Sequence, residues 1–183
     1  MKTALCTMIA AGLLATPAVA TELLTNPGYE DTDTDGNFGD TWGSIGSAGI
    51  TAIFGPNGHA SLFSDNIGNF GGVFQTGIAA TPGTEYQFDL VDVRLESNIA
   101  ADYRFGLEFY LGDDATQVST IIVPIDLSTT GDGLSFSMTG TAPATAAFVR
   151  PIVQYDNVTS TANGQETAYI IAASLTVVPA PAG

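Results

Sequence analysis

Basic residues are nearly missing from this sequence. Its 183 residues include four, Lys2, Arg94, Arg104 and Arg150, against 19 acids, giving a net charge of −15. A chain with so few cations cannot neutralise phosphates, which excludes nucleic-acid binding and adhesion to anionic membranes. Cysteine is almost absent too. Cys6 is the only one and has no partner for an intrachain disulfide, so stability must come from a packed core. There is no Gly-x-Ser-x-Gly elbow and no zinc-ligand spacing, and the single histidine, His59, is expected in a turn after Gly58 with no flanking acid. Catalysis therefore has few places to reside, and paired carboxylates are present without any pair being singled out. Helical periodicity is missing after residue 20, and so is an apolar run long enough to span a bilayer.

The N-terminus has a basic start (Lys2), a short apolar core (Ala4 to Leu14) and an Ala-Val-Ala end at Ala18 to Ala20. These are the parts of a secretory signal, so residues 1–20 read as a cleaved leader and the protein as secreted, periplasmic or displayed on the cell surface. Loss of Lys2 with the leader leaves three arginines against 19 acids, a net charge of −16. The remaining stretch splits into one domain over 21–178 and a Pro/Ala-rich tail over 179–183. The mature chain is predicted not to insert into a membrane.

Period-two alternation dominates that domain, punctuated by Gly, Pro, Asn and Asp. Tyr103, Phe105, Leu107, Phe109 and Leu111 alternate with Arg104, Glu108 and Tyr110, the pattern of a half-buried antiparallel strand. In the preceding strand the inward phase passes from Tyr86, Phe88 and Leu90 to Val91, Val93 and Leu95, predicting a β-bulge near Leu90–Val91. Further strands are predicted at 23–24, 49–54, 60–63, 73–78, 120–127, 134–138, 147–155 and 168–178, with turns at 55–58, 81–83, 112–114, 131–133 and 163–164. Pro151 predicts an edge strand or a local break in the 147–155 run. The expected fold is all-β, a two-sheet antiparallel sandwich of jelly-roll type with about eight to ten strands.

Two groups of residues have the chemistry of a site. Asp31, Asp33 and Asp35 alternate and are followed by Gly36, a spacing that can wrap a hard cation such as calcium. Trp42 stands where a bidentate Glu would close the loop, leaving Asp40 to supply the missing oxygens; a solvated acidic turn is the competing reading. The second group is Arg94, Arg104, Glu108 and Tyr110, on non-core positions of strands expected to be neighbours, joined by Gln154 if its strand lies beside theirs. Aromatic faces with nearby charged and amide groups suit glycans, and the same residues also suit an ordinary outer sheet face.

Several blocks in order resemble the galactose-binding-like jelly-roll carbohydrate-binding modules. They are Leu24-Thr25-Asn26-Pro27-Gly28-Tyr29-Glu30, Trp42, Val73 to Thr76, Thr81 to Phe88, Ala142 to Arg150 and Ala173 to Val177. The resemblance implies a sandwich that binds polysaccharide on a concave sheet face or at loop tips, a core role for Trp42, and a structural calcium held partly by Glu30. The acid that would complete that calcium site is missing from Ile170 to Leu175. Val177-Val178-Pro179-Ala180-Pro181-Ala182 also resembles the start of bacterial Val-Pro-x-Pro-Ala sorting tails. The expected function is non-catalytic polysaccharide binding. The alternatives are a calcium-dependent matrix protein that binds protein or itself, and a polysaccharide-acting enzyme such as a Tyr–Arg lyase.

Overall fold

The structure, a computed structural model, describes residues 20–29, 41–46, 48–51, 59–64, 67–95, 101–125, 131–159 and 166–180. Among them no helix is long and apolar enough to cross a membrane, and every regular element is a strand. One sheet runs β1 (Trp42–Gly46), β4 (Gly71–Gln75), β10 (Phe148–Asp156), β7 (Asp102–Tyr110), β8 (Gln117–Pro124), with the two-residue β5 (Ile78–Ala79) also on β10. The other runs β2 (Ala48–Thr51), β3 (His59–Ser64), β11 (Glu166–Val177), β6 (Glu85–Leu95), β9 (Gly131–Thr141). All pairings are antiparallel, and the chain crosses repeatedly from one sheet to the other. This is the sandwich expected from the alternation.

The inward faces meet in one core. Phe88, Leu90, Val93, Ile170 and Leu175 from one sheet, with Val73, Leu107, Phe109, Val149 and Val153 from the other, expose nothing to solvent. Each such side chain contributes about 2 kcal/mol on burial, which lets the sandwich stand without a disulfide. Tilted ring pairs bridge the sheets, Tyr86 with Phe109 at 6.3 Å and Phe88 with Phe105 at 5.9 Å. Before β1 the chain docks on β11. Glu22 pairs with Thr176, and its Oε1 accepts from the backbone amides of Leu23, Leu24 and Leu175.

The strands depart from the expectation at several positions, and of the two readings of Pro151 one holds. Pro151 is not on an edge, because β10 pairs with β7 on one side and with β4 and β5 on the other. It does mark a local break. Pairing across the β4/β5 side stops between Val149 and Ile152, so Arg150 and Pro151 have no partner there and the proline's missing donor is tolerated. The bulge is present, as a register shift between Leu90 and Val93 against β9, with Asp92 at φ 56°. The phase change takes two residues rather than one, so Val91 is 43% exposed instead of inward. Gly131 to Gly133, expected as a turn, opens β9, and His59 is the first residue of β3 rather than part of a turn. The strand β1 was not foreseen, and the expected 73–78 strand is divided by Thr76–Gly77, with Gly77 at φ 76°. The expected leader, the 55–58 and 163–164 turns and the end of the tail lie outside the described residues.

Candidate functional site

Because Tyr103, Phe105, Leu107 and Phe109 point inward, the alternate residues of β7 point away from the core. Register with β10 places them opposite that strand's outward set: Tyr110 with Phe148, Glu108 with Arg150, Gly106 with Ile152, Arg104 with Gln154, Asp102 with Asp156. On the far side of β10, Ile152 pairs with Phe74, and Phe74 with Gly43. The outward side of this sheet thus has two polar clusters separated by Phe74, which is partly exposed, and Ile152, which is covered.

The first cluster centres on Arg150. Its Nη2 lies 2.6 Å from Glu108 Oε2, and its Nε donates to the same oxygen at 2.7 Å. The Tyr110 hydroxyl donates to Glu108 Oε2 at 3.0 Å and accepts from Arg150 Nη2. The guanidinium sits 4.4 Å from the Tyr110 ring centroid and 4.9 Å from that of Phe74, a cation–π contact with both rings. Although outward-facing, Tyr110 is only 4% exposed and Glu108 only 9%. Burial, followed by the hydrogen bond and charge of Glu108, pushes the Tyr110 hydroxyl up to about 12, so it stays protonated at physiological pH.

Phe74 owes its pose to a missing side chain. A Cβ on Gly43 would lie 2.7 Å from Phe74 Cζ, so the ring occupies the space above β1 that any other residue would fill. Gly106 is held as glycine by a tighter constraint, since a Cβ there would meet the Ile121 carbonyl oxygen at 2.3 Å. Beyond Gly43 on the same edge strand, Ile45 is partly exposed.

The second cluster is more open. Arg104 Nη2 lies 2.9 Å from Asp156 Oδ1 and 3.6 Å from Asp102 Oδ2, and Asn157 Nδ2 donates to Asp102. Gln154 stands half-buried beside Arg104 in the register.

Of the expected ligand residues, Arg104, Glu108, Tyr110 and Gln154 therefore share one face. Arg94 does not. Its strand, β6, lies in the opposite sheet between β11 and β9, and Arg94 pairs there with Asp132 at 3.1 Å, so the expectation that it neighbours Arg104 is corrected. Arg150 and Phe74 were missed. Arg150 shares the alternation phase of Gln154, which is the signal that identifies it. Trp42 is a core residue, with Nε1 donating to the Asn26 carbonyl at 2.8 Å and its ring 4.7 Å from Tyr29.

The expected calcium residues Glu30, Asp31, Asp33, Asp35 and Asp40 lie outside the described residues. Among the described residues no group of three or more His, Cys, Asp or Glu side chains could hold a metal ion. Tyr29 and Trp42 are in ring contact, and Gln75 accepts from the Thr25 amide while its Nε2 donates to Thr41 Oγ1.

No protein-family model and no curated protein matches this sequence. Solved structures do match its fold. The chain is similar to part of the enzymatically active domain of bacteriophage CBA120 tailspike protein 4, with TM-score 0.60 and 11% identity over 86% of this chain but only 21% of that one. It is similar over almost the whole of two carbohydrate-binding modules. A family 61 module solved with β-1,4-galactotriose matches with TM-score 0.53 and 15% identity, over 86% of this chain and 99% of the module. The CBM22-1 xylan-binding domain from Paenibacillus barcinonensis Xyn10C matches with TM-score 0.53 and 11% identity, over 90% and 99%. At these identities the likeness defines the fold, a β-sandwich of the kind that carbohydrate-binding modules build.

Proposed function

We propose that this protein is a non-catalytic polysaccharide-binding module of the cell exterior, and that glycan lies across the outward face of β7 and β10. The observation that carries the reading is the Arg150–Glu108–Tyr110–Phe74 cluster, an ordered and largely buried polar group on a face that packs no core. Stability alone does not require such a cluster there, since hydrophobic residues of similar volume commonly replace an ion pair without loss. A sugar needs what the face offers: the partly exposed Phe74 ring for its CH surface, with planar donors and acceptors at Arg104 and Gln154 for its hydroxyls. The fold shared with two carbohydrate-binding modules supports the same reading. Electrophoresis of the mature chain through gels holding different polysaccharides tests it, with retardation by at least one polymer expected.

The proposal extends to a structural calcium at Glu30, Asp31, Asp33, Asp35 and Asp40, supported by the alternate carboxylates before Gly36 in the sequence. A chelator is expected to lower the melting temperature, and restored calcium to recover it.

A further inference from the structure

We infer that the glycan is uncharged and that the same face turns away polyuronates and sulfated polysaccharides. This inference rests on the polysaccharide-binding reading and narrows it to a substrate class.

A polyanionic sugar is recognised through cations that have no other partner, because its carboxylates or sulfates lose hydration on binding and need compensation. The chain has four basic residues, and one of them, Lys2, lies in the expected leader. Each of the other three already faces a carboxylate: Arg94 with Asp132, Arg104 with Asp156 and Asp102, Arg150 with Glu108. On the proposed face two arginines stand against three acids, Asp102, Glu108 and Asp156, so its formal charge is −1. Arg150 is the less available of the two, held by the carboxylate and by the rings of Phe74 and Tyr110.

The rest of the molecule acts in the same direction. A net charge of −15 on 183 residues repels a polyanion before contact, and at physiological ionic strength screening removes that repulsion only beyond about 8 Å. A neutral polymer meets neither barrier. It can use the paired arginines as they are, since a guanidinium bonded to one carboxylate keeps further N–H donors for hydroxyls.

The design also specifies how to reverse the selectivity. Asp102, two residues before Arg104 on β7, and Asp156, on the neighbouring β10, flank Arg104, and neither is part of the core. Replacing both with Asn turns the face from −1 to +1 and releases Arg104 while leaving the Arg150 cluster intact.

The test is affinity electrophoresis of the mature protein and of D102N/D156N at low and high salt. The gels contain neutral β-1,4-galactan, neutral mannan, polygalacturonate or dextran sulfate. For the wild type, retardation is expected in a neutral gel, unchanged by salt, with free migration in both polyanion gels. The double variant is expected to gain a retardation by polygalacturonate at low salt that the wild type lacks, and to lose it when salt is added. Wild-type retardation by polygalacturonate or dextran sulfate overturns the inference while leaving polysaccharide binding in place. A double variant with no gain overturns it too, because pairing of Arg104 is then not what excludes the polyanion. Free migration of the wild type through every gel overturns the binding reading beneath it, and the inference with it.

Discussion

Arg150 on β10 and Glu108 on β7 occupy one register position, side chain opposite side chain, with Nη2 2.6 Å from Oε2. The pair is largely shielded from water on a face where most sandwiches carry solvated residues, and it links the Tyr110 and Phe74 rings into one unit. Removing one member should therefore do more harm than removing both. Arg150→Ala leaves Glu108 with a single tyrosine donor and is expected to destabilise by about 2 kcal/mol, less than for a fully buried pair. Arg150→Met combined with Glu108→Leu should recover most of that loss while abolishing glycan retardation. Urea denaturation monitored by fluorescence checks the first effect and gel retardation the second.

Gly43 should act on the ligand only through Phe74. Gly43→Ala forces the ring off its present pose and is expected to weaken glycan binding about fivefold, whereas in a Phe74→Ala background it should change nothing further. A double-mutant cycle on dissociation constants reads this coupling directly. Additive losses would mean that Gly43 contacts the ligand by itself or is needed only for folding.

Tyr29 has a fully buried hydroxyl with no hydrogen-bond partner among the described residues, and its burial raises its pKa well above the ordinary tyrosine value. Tyr29→Phe removes an unsatisfied polar group and keeps the ring against Trp42. The expected gain is about 1 kcal/mol, or roughly 2–4 °C in melting temperature for a domain of this size. A loss of stability of that size would show that the hydroxyl has a partner in solution.

The turn after β7 should set part of the acid limb. Asp113 accepts from the amides of Ala115 and Thr116 and from Thr116 Oγ1, and these bonds lower its carboxyl to about 2. The folded value lies below the unfolded one, 3.8, so the contribution is complete above about pH 4 and is lost as pH falls towards 2. Asp113→Asn is expected to flatten melting temperature against pH in that window and leave its slope at neutral pH unchanged.

Most of the fold was legible because period-two alternation is a local signal. Tyr103 to Leu111 announces its own inward face, and the phase slip after Leu90 announces a bulge. What local pattern cannot carry is which strands become neighbours. Arg94 and Arg104 lie ten positions apart on consecutive strands and looked adjacent, yet the chain crosses between sheets from β6 to β7 and puts them on opposite sides of the molecule. Arg150 was hidden for the reverse reason. Pro151 beside it suggested an edge or a local break, and the break that forms between β4 and β5 lets β10 lie at the sheet's centre. Phe74 depended on a still less local fact, the absence of a side chain at Gly43 on a strand rich in glycine and serine that gave no alternation to read.

Glycan binding on one particular sheet face is tested most directly by comparing wild type with Phe74→Ala, Arg104→Ala and Arg94→Ala in a neutral polysaccharide gel, each first shown to be folded by circular dichroism. Arg94 lies on the opposite sheet. The expected result is equal retardation of wild type and Arg94→Ala, with Phe74→Ala and Arg104→Ala migrating close to their ligand-free mobility. Loss of retardation in Arg94→Ala with retention in the other two would contradict it and move the glycan to the β6 side of the sandwich.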